Sequence, residues 1–169
     1  DKGYKIIYLD GVATNTGVFD AALSSDGITF KEGGTNFTNS LLVGTDTTGT
    51  LSSADGNTGV GTGVLAALTT GDDNAAVGLC ALNANTTGAC NTAIGVGALI
   101  ANTTAAENTA VGSASMLGNI TGALNVAVGR CSLRCNTTGS NNTAVGKGAL
   151  FANTTASNNT AVGYLSLAA

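Results

Sequence analysis

The sequence predicts an all-β solenoid of parallel rungs. Three observations predict it: one motif recurs at a fixed spacing, large side chains are too few for an ordinary core, and turn residues fall at matching points of every repeat. The motif Asn-x-[Ala/Gly]-[Val/Ile]-Gly begins at Asn57, Asn74, Asn91, Asn108, Asn125, Asn142 and Asn159, each 17 residues after the last, without insertion. Self-similarity at so short a period marks a stack in which each repeat is one rung and neighbours share a core. Repeats put the same residues in the same place, as a spacer or scaffold does. A catalytic site needs different residues brought together, so no enzyme is expected.

Composition agrees with a thin stack. The chain is 4% aromatic and 9% charged, with 25 Gly and no Pro, His or Trp, which would starve a globular core but suffices for a file of small aliphatics. Net charge is −4, and three of the six basic residues fall within the first 31 positions, so no basic face for nucleic acid is expected. No run of about 20 apolar residues is present, and no membrane-spanning helix is expected. Lack of His removes the common general base and the usual zinc chemistry, and no cofactor is expected. The chain opens at Asp1, which suggests a processed product or a fragment.

Counting from each Asn as offset zero, offset three is Val or Ile (Val60 to Val162), offset four is always Gly, and offset eight is Leu or Met (Leu65 to Leu167). Offset thirteen is Thr in all six complete copies, and offset eleven is Asn from Asn85 to Asn153. Two strands per turn fit this pattern. Thr-Ala-Val is closed by its Gly, and Ala-Leu-x-Ala by Asn-Thr-Thr-Gly, with Gly and Asn supplying positive φ at the corners. Period-two alternation then puts Val of offset three inward, together with offsets six, eight and ten. Two helices of about seven residues each would be marginal, and Gly and Thr weaken them further. Rungs about 4.8 Å apart give seven repeats a length of roughly 30 Å. A degenerate eighth turn is expected at 40–44, where Ser40-Leu-Leu-Val43-Gly44 keeps the Val-Gly pair.

The same columns judge the cysteines. Cys80 and Cys131 stand three rungs apart, roughly 14 Å, and Cys131 and Cys135 lie along one strand. Neither pair meets the Cα separation of at most about 7 Å that a disulfide needs. Cys80, Cys131 and Cys135 are expected as buried free thiols, with Cys90 exposed at a corner.

The unit read at Asn91–Gly95, Ala98-Leu99 and Asn136–Gly139 resembles repeats of bacteriophage tail fibres and related virion fibres. It is also similar to the head repeats of trimeric autotransporter adhesins, whose unit is typically shorter. The Asn-Thr-Thr-Gly corner favours the fibre group. The resemblance covers about residues 40–169. It implies a left-handed parallel β-roll, a homotrimer around one axis, and a rod reaching or gripping a cell surface. The implied location is an extracellular virion appendage, with other fibre or tail proteins and a host glycan or protein as partners; the bacterial outer surface is the alternative. The residues add a reason for trimerisation of their own. With Val inward, the Ala and Gly of offsets two and four project outward as an uncharged stripe. Ala93, Gly95, Ala110, Gly112, Ala127, Gly129, Ala144 and Gly146 are therefore expected at the trimer interface.

Residues 1–39 lack the repeat and read as a small β-rich collar or joint, with strands over 4–9 and 28–31; residues 40–169 form the solenoid of seven to eight repeats. The variable outward columns are the one place where chemistry differs between rungs, and the last three copies carry its charged and aromatic residues. There offset five carries Arg130, Lys147 and Tyr164 and offset nine carries Arg134 and Phe151, a candidate strip for surface recognition. Asn-x-Thr triplets such as Asn85-Thr-Thr87 match glycosylation acceptors, but their recurrence once per rung reads as a turn-forming Asn ladder. Gly-x-Gly pairs lack the helix and the Lys of a phosphate cradle. Asp73 and Glu107, about 10 Å apart by rung spacing, approach the separation of an inverting glycosidase but lack a sugar platform. An ice-binding Thr face is the remaining rival, interrupted at Ile120, Ala75 and Val126.

Overall fold

The computed structural model describes residues 30–34, 37–44 and 52–169, with the backbone alone up to residue 39. The collar strand expected over 4–9 lies outside these residues. Among those described there are ten strands in one sheet and no helix. β1 (Phe30–Gly34) overlaps the strand expected over 28–31 and pairs antiparallel with β2 (Phe37–Val43), with a bulge between Glu32 and Gly34. β2 then begins the parallel part. It pairs with β3 (Ala54–Asp55) through Phe37 and Thr38, and with β4 (Thr58–Val60) through Leu41 to Val43.

β5 (Ala75–Val77), β6 (Thr92–Ile94), β7 (Thr109–Val111), β8 (Val126–Val128), β9 (Thr143–Val145) and β10 (Thr160–Val162) follow in sequence order, each parallel to its neighbours. Partners sit one repeat apart: Thr58 faces Ala75, Ala93 faces Ala110, Val128 faces Val145. The result is a parallel β-solenoid of about seven turns. The degenerate copy at 40–44 belongs to the stack. Ser40 Oγ accepts the Asn57 N–H at 2.8 Å, the role that Asn57 Oδ1 takes for the Asn74 N–H at 3.1 Å.

Two side-chain ladders run through the interior. Asn74, Asn91, Asn108, Asn125 and Asn159 each donate Nδ2–H to the Oδ1 of the Asn one repeat earlier, as Asn91 does to Asn74 (3.1 Å), and the same Oδ1 accepts the Asn91 backbone N–H (3.0 Å). The offset-eleven asparagines repeat the side-chain link, Asn102 to Asn85 at 2.9 Å and Asn136 to Asn119 at 2.8 Å. Both ladders then meet on one carbonyl per repeat. Gly88 O accepts from Asn74 Nδ2 (2.9 Å) and Asn85 Nδ2 (2.8 Å), and Gly122 O from Asn108 (2.9 Å) and Asn119 (2.8 Å). Among the described residues no buried side-chain nitrogen or oxygen lacks a partner. None of these ladder asparagines has positive φ. The expected turn-forming role is therefore replaced by an amide one.

The faces of the short strand are the reverse of the expectation. Ala93, Ala110, Ala127 and Ala144 of offset two are fully buried, while Val60, Val77, Ile94, Val128, Val145 and Val162 of offset three are exposed and Val111 is half-buried. The reason is a shallow interior. Gly59 holds the alanine's place in its repeat, where a Cβ would lie 2.5 Å from Leu42 Cδ2 and 3.0 Å from Val64 Cγ1. A methyl fits this layer where its neighbours are alanines, and an isopropyl group would overpack it.

The leucine column does point inward: Leu65, Leu82, Leu99, Met116 and Leu133 are fully buried, although Leu167 in the last turn is exposed. Its segment is not the expected second strand but a run of turns with left-handed residues at offsets six and eight, such as Cys80 (φ 55°) and Leu82 (φ 49°). Burial consequently falls at offsets seven and eight, as at Ala81 and Leu82, rather than at six, eight and ten. A left-handed leucine costs about 1–2 kcal/mol. Full burial of its side chain is worth about 1.5–3 kcal/mol and offsets that strain.

Backbones of successive turns approach closely at offset four. A Cβ on Gly112 (φ 133°) would sit 2.6 Å from the backbone carbon and oxygen of Gly129, whereas one on Gly97 (φ 66°) would meet nothing within 4 Å. Gly112→Ala is expected to lower stability by more than about 3 kcal/mol, combining strain with a backbone clash, and Gly97→Ala by about 1 kcal/mol. Thermal unfolding of the two variants checks the contrast. Asn108→Ala should cost on the order of 3 kcal/mol, because it strips the acceptor from the buried backbone N–H and Nδ2–H of Asn125. Asn153→Ala, near the solvated last turn, should cost less than about 1 kcal/mol in the same denaturant titration.

Candidate functional site

Two outward features are candidates for function, and the amide ladders position both. The first is the flat outer face of the three-residue strands. Because offset two packs inward, offsets one and three project outward together. The face carries the file Val60, Val77, Ile94, Val111, Val128, Val145, Val162 beside a column that is mainly Thr, with Ala75 and Val126. Neither column contains a charged residue. Leu79 and Val96 of offset five extend the apolar surface at its edge and are about half exposed. At a strand spacing of about 4.8 Å the file runs for roughly 30 Å.

The columns expected at a trimer axis stand elsewhere. Ala93, Ala110, Ala127 and Ala144 form the inner wall of a single chain and offer nothing to a neighbour. Gly95, Gly112, Gly129 and Gly146 are half-buried, and each is held against the backbone of the next turn of its own chain. The parity of the strand was legible in the sequence; the side taken as outer was not. One signal marks it. From Gly59 onward offset two never exceeds Ala in size, whereas offset three accepts Ile94. A ceiling on size belongs to a confined position.

The second feature is the strip formed by offsets five and nine in the last three repeats. Arg130, Lys147 and Tyr164 are exposed there, and Arg134 and Phe151 are half-buried. Side chains one repeat apart stack on one another. The Arg134 guanidinium lies 5.6 Å from the centre of the Phe151 ring, and the Lys147 ammonium 5.3 Å from that of Tyr164. The five predicted residues thus include two cation–ring pairs in adjacent turns.

Other candidates separate more simply. All four cysteines are free; Cys90 is exposed as expected, while Cys80, Cys131 and Cys135 are half-buried rather than enclosed. Asn85, Asn102, Asn119 and Asn136 are fully buried, so the Asn-x-Thr triplets they open present no amide for glycosylation in the folded chain. Asp73 and Glu107 occupy exposed left-handed corner positions, where the column accepts Cys90, Leu124, Asn141 and Asn158 equally well. Among the described residues no group of three or more His, Cys, Asp or Glu could hold a metal ion, and no helix is long and apolar enough to cross a membrane. No known family, curated protein or solved structure matches the chain.

Proposed function

We propose that the chain is a structural fibre segment. In this reading it is a left-handed roll with one 17-residue repeat per turn, three copies packed side by side, acting as a spacer or receptor-reaching rod of a virion appendage such as a phage tail fibre. The reading rests on the uncharged aliphatic ladder along the strand face. Soluble monomers rarely leave a long apolar stripe open to water. A partner that covers this one along its whole length must carry side chains at the same spacing, and another copy of the chain does so by construction.

Resemblance to virion fibre repeats sets the number at three and the handedness as left. In place of the Ala and Gly columns, the axial contact is assigned to the valine file. Each valine there is only partly exposed and gains a fraction of the roughly 1.5 kcal/mol that full burial brings, but the gain recurs in every turn of every chain. A bacterial trimeric adhesin head, which shares this architecture, is the alternative.

Light scattering should give a mass three times the 16.3 kDa of one chain. Val111→Asp combined with Val128→Asp should return the chain to a monomer with unchanged far-ultraviolet circular dichroism, because both side chains face out. Ala127→Arg should instead unfold the chain itself, since its Cβ points into the core. A wild-type monomer, or an intact trimer of the double aspartate variant, would remove the valine face as the assembly surface. Antibodies raised against the chain should label a particle appendage in electron micrographs; labelling of a bacterial outer surface would select the adhesin.

A further inference from the structure

The charges of residues 52–169 are sorted. Asp55, Asp72, Asp73 and Glu107 come first, and no Asp or Glu follows Glu107 in the given sequence. Arg130, Arg134 and Lys147 are the only cations in the same span, and Phe151 and Tyr164 its only aromatic residues. All five occupy two columns in three consecutive repeats. A roll built mainly of small uncharged residues thus gathers the cations and rings of this span in one place, without an Asp or Glu in any of those repeats to neutralise them.

The geometry is that of an open, elongated site. Along each column the side chains recur at the strand spacing of about 4.8 Å. Across the columns, offsets five and nine are four residues apart in one turn, so their Cα atoms are at most about 14 Å from each other. Arg134 lies over the Phe151 ring, and a guanidinium so placed can grip a carboxylate in bidentate fashion. Lys147 over Tyr164 presents a second, more compact charge one turn on. Because Arg134 and Lys147 each already lie over a ring, less side-chain freedom is lost there when a ligand arrives. Tyr164, 69% exposed, offers an open ring face and a hydroxyl.

We propose that this strip binds an acidic saccharide, a chain of sugar rings bearing carboxylates. The carboxylates would pair with Arg130, Arg134 and Lys147, and the C–H face of a ring would pack on Tyr164. A nucleic acid fits less well, since its phosphate backbone calls for more cations than three. A single small anion would leave the aromatic surface unused. As the host contact of a fibre this site rests on the reading proposed above; as a binding site it does not, because all five residues lie on one chain.

Isothermal titration of the full chain with an oligogalacturonate, and with a neutral dextran oligomer of equal length, tests the proposal. Saturable binding of the acidic oligomer alone is expected, weakening at least tenfold between 50 mM and 500 mM salt as the charges are screened. Arg134→Gln and Lys147→Gln should each reduce affinity about tenfold or more, and Tyr164→Ala several-fold, with the oligomeric mass unchanged. These side chains project from the surface, so the variants should fold, and circular dichroism verifies that they do. Absence of saturable binding, equal binding of dextran, full displacement by inorganic phosphate at matched ionic strength, or undiminished binding by the Arg134→Gln/Lys147→Gln variant would each overturn the site. Scattering on the same samples separates the two readings. A trimer that fails to bind removes the saccharide site alone, and a monomer that binds removes the trimer alone.

Discussion

A single backbone carbonyl per repeat, taken from both sides by buried asparagine amides, is the constraint on which the rest of the roll depends. Gly88, Ala105, Gly122 and Gly139 each receive one Nδ2–H from the offset-zero ladder and one from the offset-eleven ladder. The offset-eleven bond braces the corner three residues away, and the offset-zero bond ties that corner to the start of the turn, 14 residues off. A buried amide with a missing partner costs about 1–3 kcal/mol, so the cross-section cannot widen without leaving donors stranded. The interior is thus sized by amide reach rather than by how much hydrocarbon could be packed into it.

That size explains the inside-out strand. With the depth set, the inner face of each strand takes a methyl, and leucines entering from the turn opposite fill what is left. The branched residues, which suit a pleated surface, are driven to the outer side. Polar closure of the core therefore creates the apolar exterior. In an ordinary sheet the hydrophobic face hides and the polar face meets water. Here the inner layer includes two files of asparagine and the outer face is a file of valine.

Period, stack direction, leucine column and the degenerate first copy were legible from spacing alone, because each depends on identity between repeats. The faces of the strand were not, since alternation gives parity without sign, and size alone points the larger residue inward. Gly59 between Leu42 and Val64 holds the missing information, but only as a matter of volume. Asparagine misled in a similar way. Of the left-handed corners at offset sixteen, Asn141 and Asn158 fit the expectation, but Asp73, Cys90, Glu107 and Leu124 hold the others, and the ladder asparagines never adopt that conformation. An invariant residue at one column and a miscellany at the next was the readable clue. The strip from Arg130 to Tyr164 stood out in the sequence as a break in uniformity; its ring stacking needed coordinates, because it joins residues one whole repeat apart.

The amide ladders also have a direction. Where asparagine amides link successive repeats, the N–H donates toward the repeat before and the oxygen accepts from the repeat after, as at Asn108 between Asn91 and Asn125. A chain emerging from the ribosome presents its early repeats first. Each finished turn then exposes an acceptor in register for the donors of the next, and the stack can be assembled as it is synthesised, one repeat docking on a completed template. The polarity of this side-chain bond thus agrees with the order in which translation delivers the repeats, whereas the backbone bonds between turns run both ways.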